Sequence, residues 1–443
     1  MKVNDEEIIL GYGVNSLKIN KDEYINFYKE NYSKIICDFK KTIGVIPIIS
    51  VTGTNGKTTT VRLIHNILLS LGYNSGLSST GGIYIGDKVI KHGDTTGFYS
   101  AREVLKNKWV NVAVLETARG GILKKGLGYE KAKVAIITSV SEDHIGMGNI
   151  KSLDDLVKIK SLIAEELAED GVLVIKAIPT LVDRFKDKDN IILFNDNINE
   201  IIEKHIKAGN IAYYVKENYI VKNCGGVEGK IISVEEIPFA FNGKSKSNLR
   251  NIMVAIIATE NICKDIKKVI QCVKKIECNI YTNLGRQNII DFNKFKMIID
   301  YGHNSEAFKE VFSIAENMPH KRIIGLITAA GDRKDIYIEE LGEVAAKFCD
   351  FIIIKEQPDL RGRKEYETAN LIKCGALRVG FDEKNIKVIL KEEEAILEAL
   401  RDAQEEDVIV SFSQFLYLTF PAINLFRKEV GLDCIGEDLD LTH

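Results

Sequence analysis

The sequence predicts an α/β protein built on mostly parallel sheets, and three observations carry that expectation. Apolar runs of strand length alternate with amphipathic helical stretches over most of the chain, the pattern of parallel strands joined by helices. The stretch IISVTGTNGKTTT, residues 48–60, runs from an apolar strand through a glycine-rich turn into a helix. After about Leu284 a second series of strand and helix alternations begins, long enough for an open sheet of its own. The expected organisation is a short N-terminal segment (1–40), a central P-loop domain with a mostly parallel sheet (41–283) and a C-terminal Rossmann-like α/β domain (284–443).

Composition narrows the function classes. At 443 residues and 45% hydrophobic content the chain can bury two or three sizeable cores. Its 60 basic and 63 acidic residues leave a formal charge of -3, so charge offers no case for nucleic acid or for an anionic membrane as partner. The opening MKVNDEEIIL is acidic where a signal peptide would be basic, and no stretch is apolar enough to span a bilayer. A cytoplasmic protein is expected. The cysteines lack any Cys-x-x-Cys pair, which argues for reduced thiols and against a zinc or disulfide framework.

Taken in order, the first forty residues read as a strand-like opening and a helix over about Lys21–Phe39, too short for an independent substrate domain. The P-loop follows. Gly53 and Gly56 let the backbone turn tightly and bring amide groups toward an anion, with Thr54 and Asn55 between them. Lys57 adds a point charge, Thr58 has the position from which a hydroxyl holds magnesium, and Thr59 continues the helix whose positive end faces the same spot. A strict Walker pattern would have a glycine where Val51 stands, yet the mechanical parts remain and imply a nucleoside triphosphate.

Further strands end in VAVLE and in VAIITSVSEDH, which places Glu116 and His144 at carboxyl ends, where parallel sheets form their ligand crevice. Lys160 falls on the next helix. Each has an ordinary alternative when taken alone: a turn cap for Glu116, a satisfied loop histidine for His144, a solvated lysine for Lys160. Their joint occurrence beside a P-loop favours magnesium and phosphoryl chemistry. Between about Gly171 and Gly243, the runs VLVIK, NIILF, IAYYV and KIISV predict a smaller, partly antiparallel sheet, and SKSNLRNIMVAIIATENIC predicts a helix.

VTGTNGKTTT, LETARGGIL, SEDHIG, LGRQN and DYGHN, in this order, resemble the Mur ligase superfamily. Within it, GDTTGFYSAREVL, AAGDRKD and KEQPDLRGR are similar to the C-terminal, Mur-ligase-like half of cyanophycin synthetases. The resemblance implies an ATP-dependent ligase that activates a carboxylate as an acyl phosphate and joins it to an amine, such as arginine on an aspartyl-type carboxylate. It implies that Thr58, Glu116 and His144 hold magnesium, that Lys57 binds phosphate, and that Lys160 carries a carbamate which acts as a further metal ligand. Asn248 and Asn251 resemble the asparagine pair near the adenine, with Ser247 where the family has histidine. Arg286 resembles the hinge arginine, and Asp300 and His303 the contribution of a closing domain. Two departures accompany the likeness: the forty residues before the P-loop are expected to hold neither an ATP-grasp half nor a nucleotide-sugar domain. The resemblance therefore leaves open an acid that is a small metabolite, cofactor precursor or cell-wall fragment. It also leaves open a homo-oligomer, and a nucleotide-binding subunit that depends on an ATP-grasp or amidotransferase partner.

Overall fold

A computed structural model describes residues 2–3, 7–10, 17–20, 46–141, 152–439 and 441. The helix expected over 21–39 and His144 lie outside the described residues. The chain divides into two compact units, Met1–Ile46 and Pro47–His443. In the first, Lys2–Val3, Glu7–Leu10 and Leu17–Asn20 form an antiparallel three-stranded sheet.

The second unit holds two sheets. In the larger, 11-stranded one, Ile48–Thr52 lies between Ala132–Ile137 and Val112–Glu116 and runs parallel to both. All five of its residues are buried, as the β-branched run Ile-Ile-Ser-Val-Thr suits a strand covered on both faces. This placement positions the site. The turn after Thr52 emerges with Thr138 on one side, where Thr138 N donates to Thr52 O at 2.9 Å, and with Glu116 and Thr117 on the other, where Thr117 N donates to Val51 O at 2.8 Å.

The smaller, partly antiparallel sheet expected between Gly171 and Gly243 is part of the main sheet and not a sheet of its own. Leu167–Lys176, Ile191–Phe194 and Ile211–Lys216 extend the main sheet in parallel, and of the strands in this region Tyr219–Cys224 and Val227–Ser233, at one edge, are antiparallel. The physical reason is that these strands have apolar neighbours on both faces, including Leu173, Val174 and Ile192, which a peripheral sheet would leave half uncovered.

The second sheet has six strands in the order Asn288–Asp291, Lys296–Asp300, Asp407–Phe412, Arg322–Ile327, Phe351–Ile354 and Ile386–Val388. Its first pair is antiparallel and the rest are parallel. Cores lie on both faces, one organised by Phe308 stacked on Phe412 with centroids 3.6 Å apart, the other by Phe292, Phe295 and Phe426. Beneath the strand ends, the Lys355 and Glu392 side chains form a buried ion pair, and Lys355 Nζ also donates to Phe412 O at 2.8 Å.

His65, on the P-loop helix, has a consequence for stability. Its Nδ1 lies 2.8 Å from Ser75 Oγ and its Nε2 lies 2.9 Å from Gly86 O, and burial pushes its pKa down to about 4. An unfolded histidine takes up its proton near pH 6.5, whereas the folded one does so only near 4. Between those values the unfolded state binds more protons, so stability falls as the pH drops from about 6.5 toward 4, by about 3 kcal/mol for this group. Urea unfolding at pH 7 and pH 4.5 is expected to show a smaller loss in His65→Gln than in the wild type.

Candidate functional site

The P-loop turn owes its shape to two glycines and the strand beside it. Gly53 (φ +154°) and Gly56 (φ +84°) both lie in the positive-φ region. A Cβ on Gly53 would collide with Thr138 Oγ1, and one on Gly56 would come within 2.6 Å of Asn251 Oδ1. The helix Lys57–Ser70 starts directly after Gly56 with no side-chain cap, leaving its first amides directed into the turn. Thr54 N donates to Ser139 O at 2.9 Å, and Asn55 N donates to Ser139 Oγ at 2.9 Å. These bonds fasten the loop to the adjoining strand end.

Lys57 Nζ folds back to donate to Thr54 O at 2.9 Å. Thr58 Oγ1 donates to Glu116 Oε1 at 3.1 Å, and Glu116, only 2% exposed, also accepts from Thr80 Oγ1 and Thr80 N at 3.0 Å each. Hydroxyls of Thr58 and Thr80 stand 3.3 Å apart. Among the described residues no group of three His, Cys, Asp or Glu gathers; the donors beside the loop are one carboxylate and two hydroxyls, an oxygen set of the kind magnesium takes. Glycines that admit phosphate, an uncapped helix start and this donor set fit a magnesium-bound triphosphate.

Lys160 is 4% exposed and its Nζ donates to Thr54 Oγ1 at 3.1 Å. The side chain thus lies against the P-loop and not in solvent. Its helix, Leu153–Glu165, begins with a capping box between Ser152 and Asp155, and Lys160 shares the buried face with Leu156, Val157, Ile163 and Ala164.

Thr59, Asn248, Asn251, Arg286, Asp300 and His303 line the same pocket with the P-loop. Asn251 Oδ1 accepts from Thr60 Oγ1 at 3.3 Å, while Asn248 Nδ2 is engaged with Phe239 O at 3.0 Å. Thr59 Oγ1 lies 3.5 Å from Asn283 Nδ2. Arg286 stacks its guanidinium over the Tyr301 ring at 4.2 Å. Asp300 accepts from Gln287 N at 3.0 Å and Gly302 N at 2.6 Å. Burial pushes its carboxyl above the usual range, with Arg286 and the two amides acting the other way. His303 packs edge-on against Tyr301.

Several residues in the site carried no sequence signal that singled them out. Thr80 reaches Glu116 because it directly follows the strand Ser75–Ser79, which pairs in parallel with Val112–Glu116. Thr138 Oγ1 donates to Asn55 O at 2.6 Å. From the second sheet's side, Glu306 Oε2 accepts from Asn55 Nδ2 at 2.9 Å and Asn304 Nδ2 donates to Asn55 Oδ1 at 3.0 Å. Asn304 is the last residue of the DYGHN motif, in which the sequence singled out only Asp300 and His303.

Residues 51–259 match the Mur ligase middle domain and residues 285–415 the Mur ligase glutamate ligase domain. The chain is 36% identical over 370 residues to cyanophycin synthetase of Nostoc sp., covering 83% of this chain and 41% of that protein. It thus spans about two-fifths of the length of the cyanophycin synthetases it matches. A UDP-N-acetylmuramoyl-L-alanyl-D-glutamate-2,6-diaminopimelate ligase of Clostridium botulinum is 26% identical, covering 96% of this chain and 88% of the relative. Among solved structures, E. coli FolC in complex with ADP shares the fold, with a TM-score of 0.63 at 17% identity over 92% of this chain and 98% of that one.

Proposed function

The chain belongs to the Mur ligase family, and from that premise we propose that it is an ATP- and magnesium-dependent ligase joining a carboxylate to an amine through an acyl phosphate. The observation that carries the reading is Glu116, buried and bonded to both Thr58 and Thr80 at the mouth of the P-loop that bears Lys57. A carboxylate oxygen of the acid attacks the terminal phosphorus and ADP leaves; the amine then attacks the acyl carbon, phosphate leaves and the amine gives up a proton. Atoms balance as acid, amine and ATP giving amide, ADP and phosphate.

In this reading the amides of Gly53–Thr59 and the Lys57 ammonium cradle the phosphates and offset charge as the phosphoryl group moves. Thr58 and Glu116, with His144, would hold magnesium, which when bound neutralises phosphate charge. We place a carbamate on Lys160: it would replace a cation by an anion beside Thr54 and so add a metal ligand. Asn248, Asn251 and Arg286 hold the nucleoside end. Asp300 and His303 come from a C-terminal domain (284–443) that closes on a central one (41–283), excluding water from a hydrolysable intermediate.

The acid and amine are proposed as an aspartyl-type carboxylate and arginine, following the resemblance to cyanophycin synthetase. A second acid, a cell-wall fragment, is favoured by the diaminopimelate ligase relative, most of whose length the chain spans. No helix among the described residues is long and apolar enough to cross a membrane, and we place the enzyme in the cytoplasm. The test is phosphate release from ATP across paired acids and amines, with aspartyl peptides and cell-wall peptides as acids and mass spectrometry of the product. Release that requires both partners supports a ligase; ATP turnover indifferent to every pair would favour a nucleotide-binding subunit that needs a partner protein.

A further inference from the structure

The P-loop turn is held from two directions at Asn55. Its backbone is fastened to the main sheet, where Asn55 N donates to Ser139 Oγ at 2.9 Å and Asn55 O accepts from Thr138 Oγ1 at 2.6 Å. Its side chain is held by the second sheet's helix Ser305–Glu316: Nδ2 donates to Glu306 Oε2 at 2.9 Å, and Oδ1 accepts from Asn304 Nδ2 at 3.0 Å. Chemistry fixes the direction of both bonds. An ionised carboxylate only accepts, so Glu306 faces the Asn55 NH2. Asn304 is the helix N-cap, and its Oδ1 accepts from Ala307 N at 2.9 Å, which leaves its NH2 for Asn55.

The same helix is also fastened without Asn55. One turn further on, Glu310 pairs with the guanidinium of Arg250 on the helix Lys246–Cys263, and Arg250 also contacts Asp196 Oδ2 at 3.1 Å. From the P-loop helix, Arg62 Nη1 donates to Leu284 O at 2.9 Å, ahead of the second sheet. Neither contact touches the turn. The bonds to Asn55 therefore bear on the turn itself, whose backbone Gly53 and Gly56 leave free to move on either side. An asparagine with both amide atoms held between two glycines removes that freedom.

We propose that Asn304 and Glu306 are positioning residues for phosphoryl transfer: acting through Asn55, they hold the P-loop turn in the shape that aligns the terminal phosphoryl group. The turn is then complete only while the second sheet's helix is docked on it. The proposal rests on the reading of the turn as the ATP site of a ligase. With the two bonds broken, nucleotide still binds through the main-chain amides and Lys57. What is lost is alignment, which counts for far more in rate than in affinity. An undocked turn would hold ATP without passing its phosphoryl group to water.

The test measures, in the full chain, both kcat for ADP formation and the affinity for N-methylanthraniloyl-ADP. Asn304→Asp keeps an acceptor for the helix cap but has no donor for Asn55. It is expected to lower kcat about 10- to 100-fold while nucleotide affinity stays within about threefold of the wild type. Glu306→Ala is expected to lose as much, and Glu306→Gln, whose amide oxygen still accepts from Asn55, to recover most of the loss. Parallel losses of kcat and affinity would reduce the two residues to structural supports and overturn the proposal. So would a Glu306→Gln enzyme as slow as Glu306→Ala, because the charge and not the bond would then matter, or full rates in both Asn304→Asp and Glu306→Ala. Each of these leaves the ligase reading intact. A folded wild type that forms ADP with no pairing of acid and amine would instead remove that reading and this proposal with it.

Discussion

Lys57→Ala is expected to lower kcat for ADP formation by about three orders of magnitude or more, with a much smaller change in stability. The ammonium lies at the start of the P-loop helix, 2.9 Å from Thr54 O, in a turn already shaped by Gly53 and Gly56. Removing it leaves the amide cradle in place and deletes the mobile charge that follows the phosphoryl group. Loss of a single preorganised donor at a transition-state charge typically costs 10²–10³ in kcat, and a full cation more. Lys57→Arg is not expected to recover it, because a planar guanidinium does not fit a site shaped for a compact ammonium. Single-turnover measurement of ADP formation separates this from product release. Full activity in Lys57→Ala would overturn the assignment of the site.

The second large effect is expected at Lys160. Its side chain is 4% exposed and bonded to Thr54 Oγ1, so an alanine there leaves a gap at the P-loop as well as removing a group that carries charge. If the lysine is carbamylated, Lys160→Ala is expected to lose about 10²-fold in activity, the scale found when groups that support a metal site are removed. Added formate or acetate should restore part of the loss by filling the gap with a carboxylate, and wild-type activity should depend on bicarbonate. A variant that is inactive, well folded and indifferent to every small acid would assign Lys160 to packing of the loop instead. Undiminished activity would remove it from the site altogether.

The contrast between these two lysines shows where the sequence is readable. Lys57 belongs to a contiguous motif, and a strand, two glycines, a lysine and a threonine within a few residues have few uses other than holding phosphate. Lys160 is one lysine on an amphipathic helix, and its burial depends on the helix packing against the P-loop strand and its neighbour. Glu116 lies between these cases: the strand-end position was legible, but its bonds to Thr80 arise from a parallel pairing of strands distant along the chain.

The misread region between Gly171 and Gly243 has a similar origin. Strand length and apolar content are the same whether such strands extend a sheet or start another, and the choice lies with the partner strand. Asn304 was legible only as the last residue of DYGHN, and Glu306, from the helix that follows, was invisible for a different reason. An acidic residue in the first turn of a helix ordinarily faces solvent and favours the dipole, so nothing local distinguishes one that reaches across to Asn55.

By itself the sequence determined the local chemistry: a phosphate-binding turn, a carboxylate at a strand end and two α/β sheets in order, because glycine conformation, β-branched runs and helical periodicity act over a few residues. Only the tertiary structure decided which hydroxyls meet Glu116, that Lys160 turns inward and that a glutamate of the second sheet's helix braces against Arg250. Those outcomes follow from strand order and helix packing, which are set by burial summed over the whole unit.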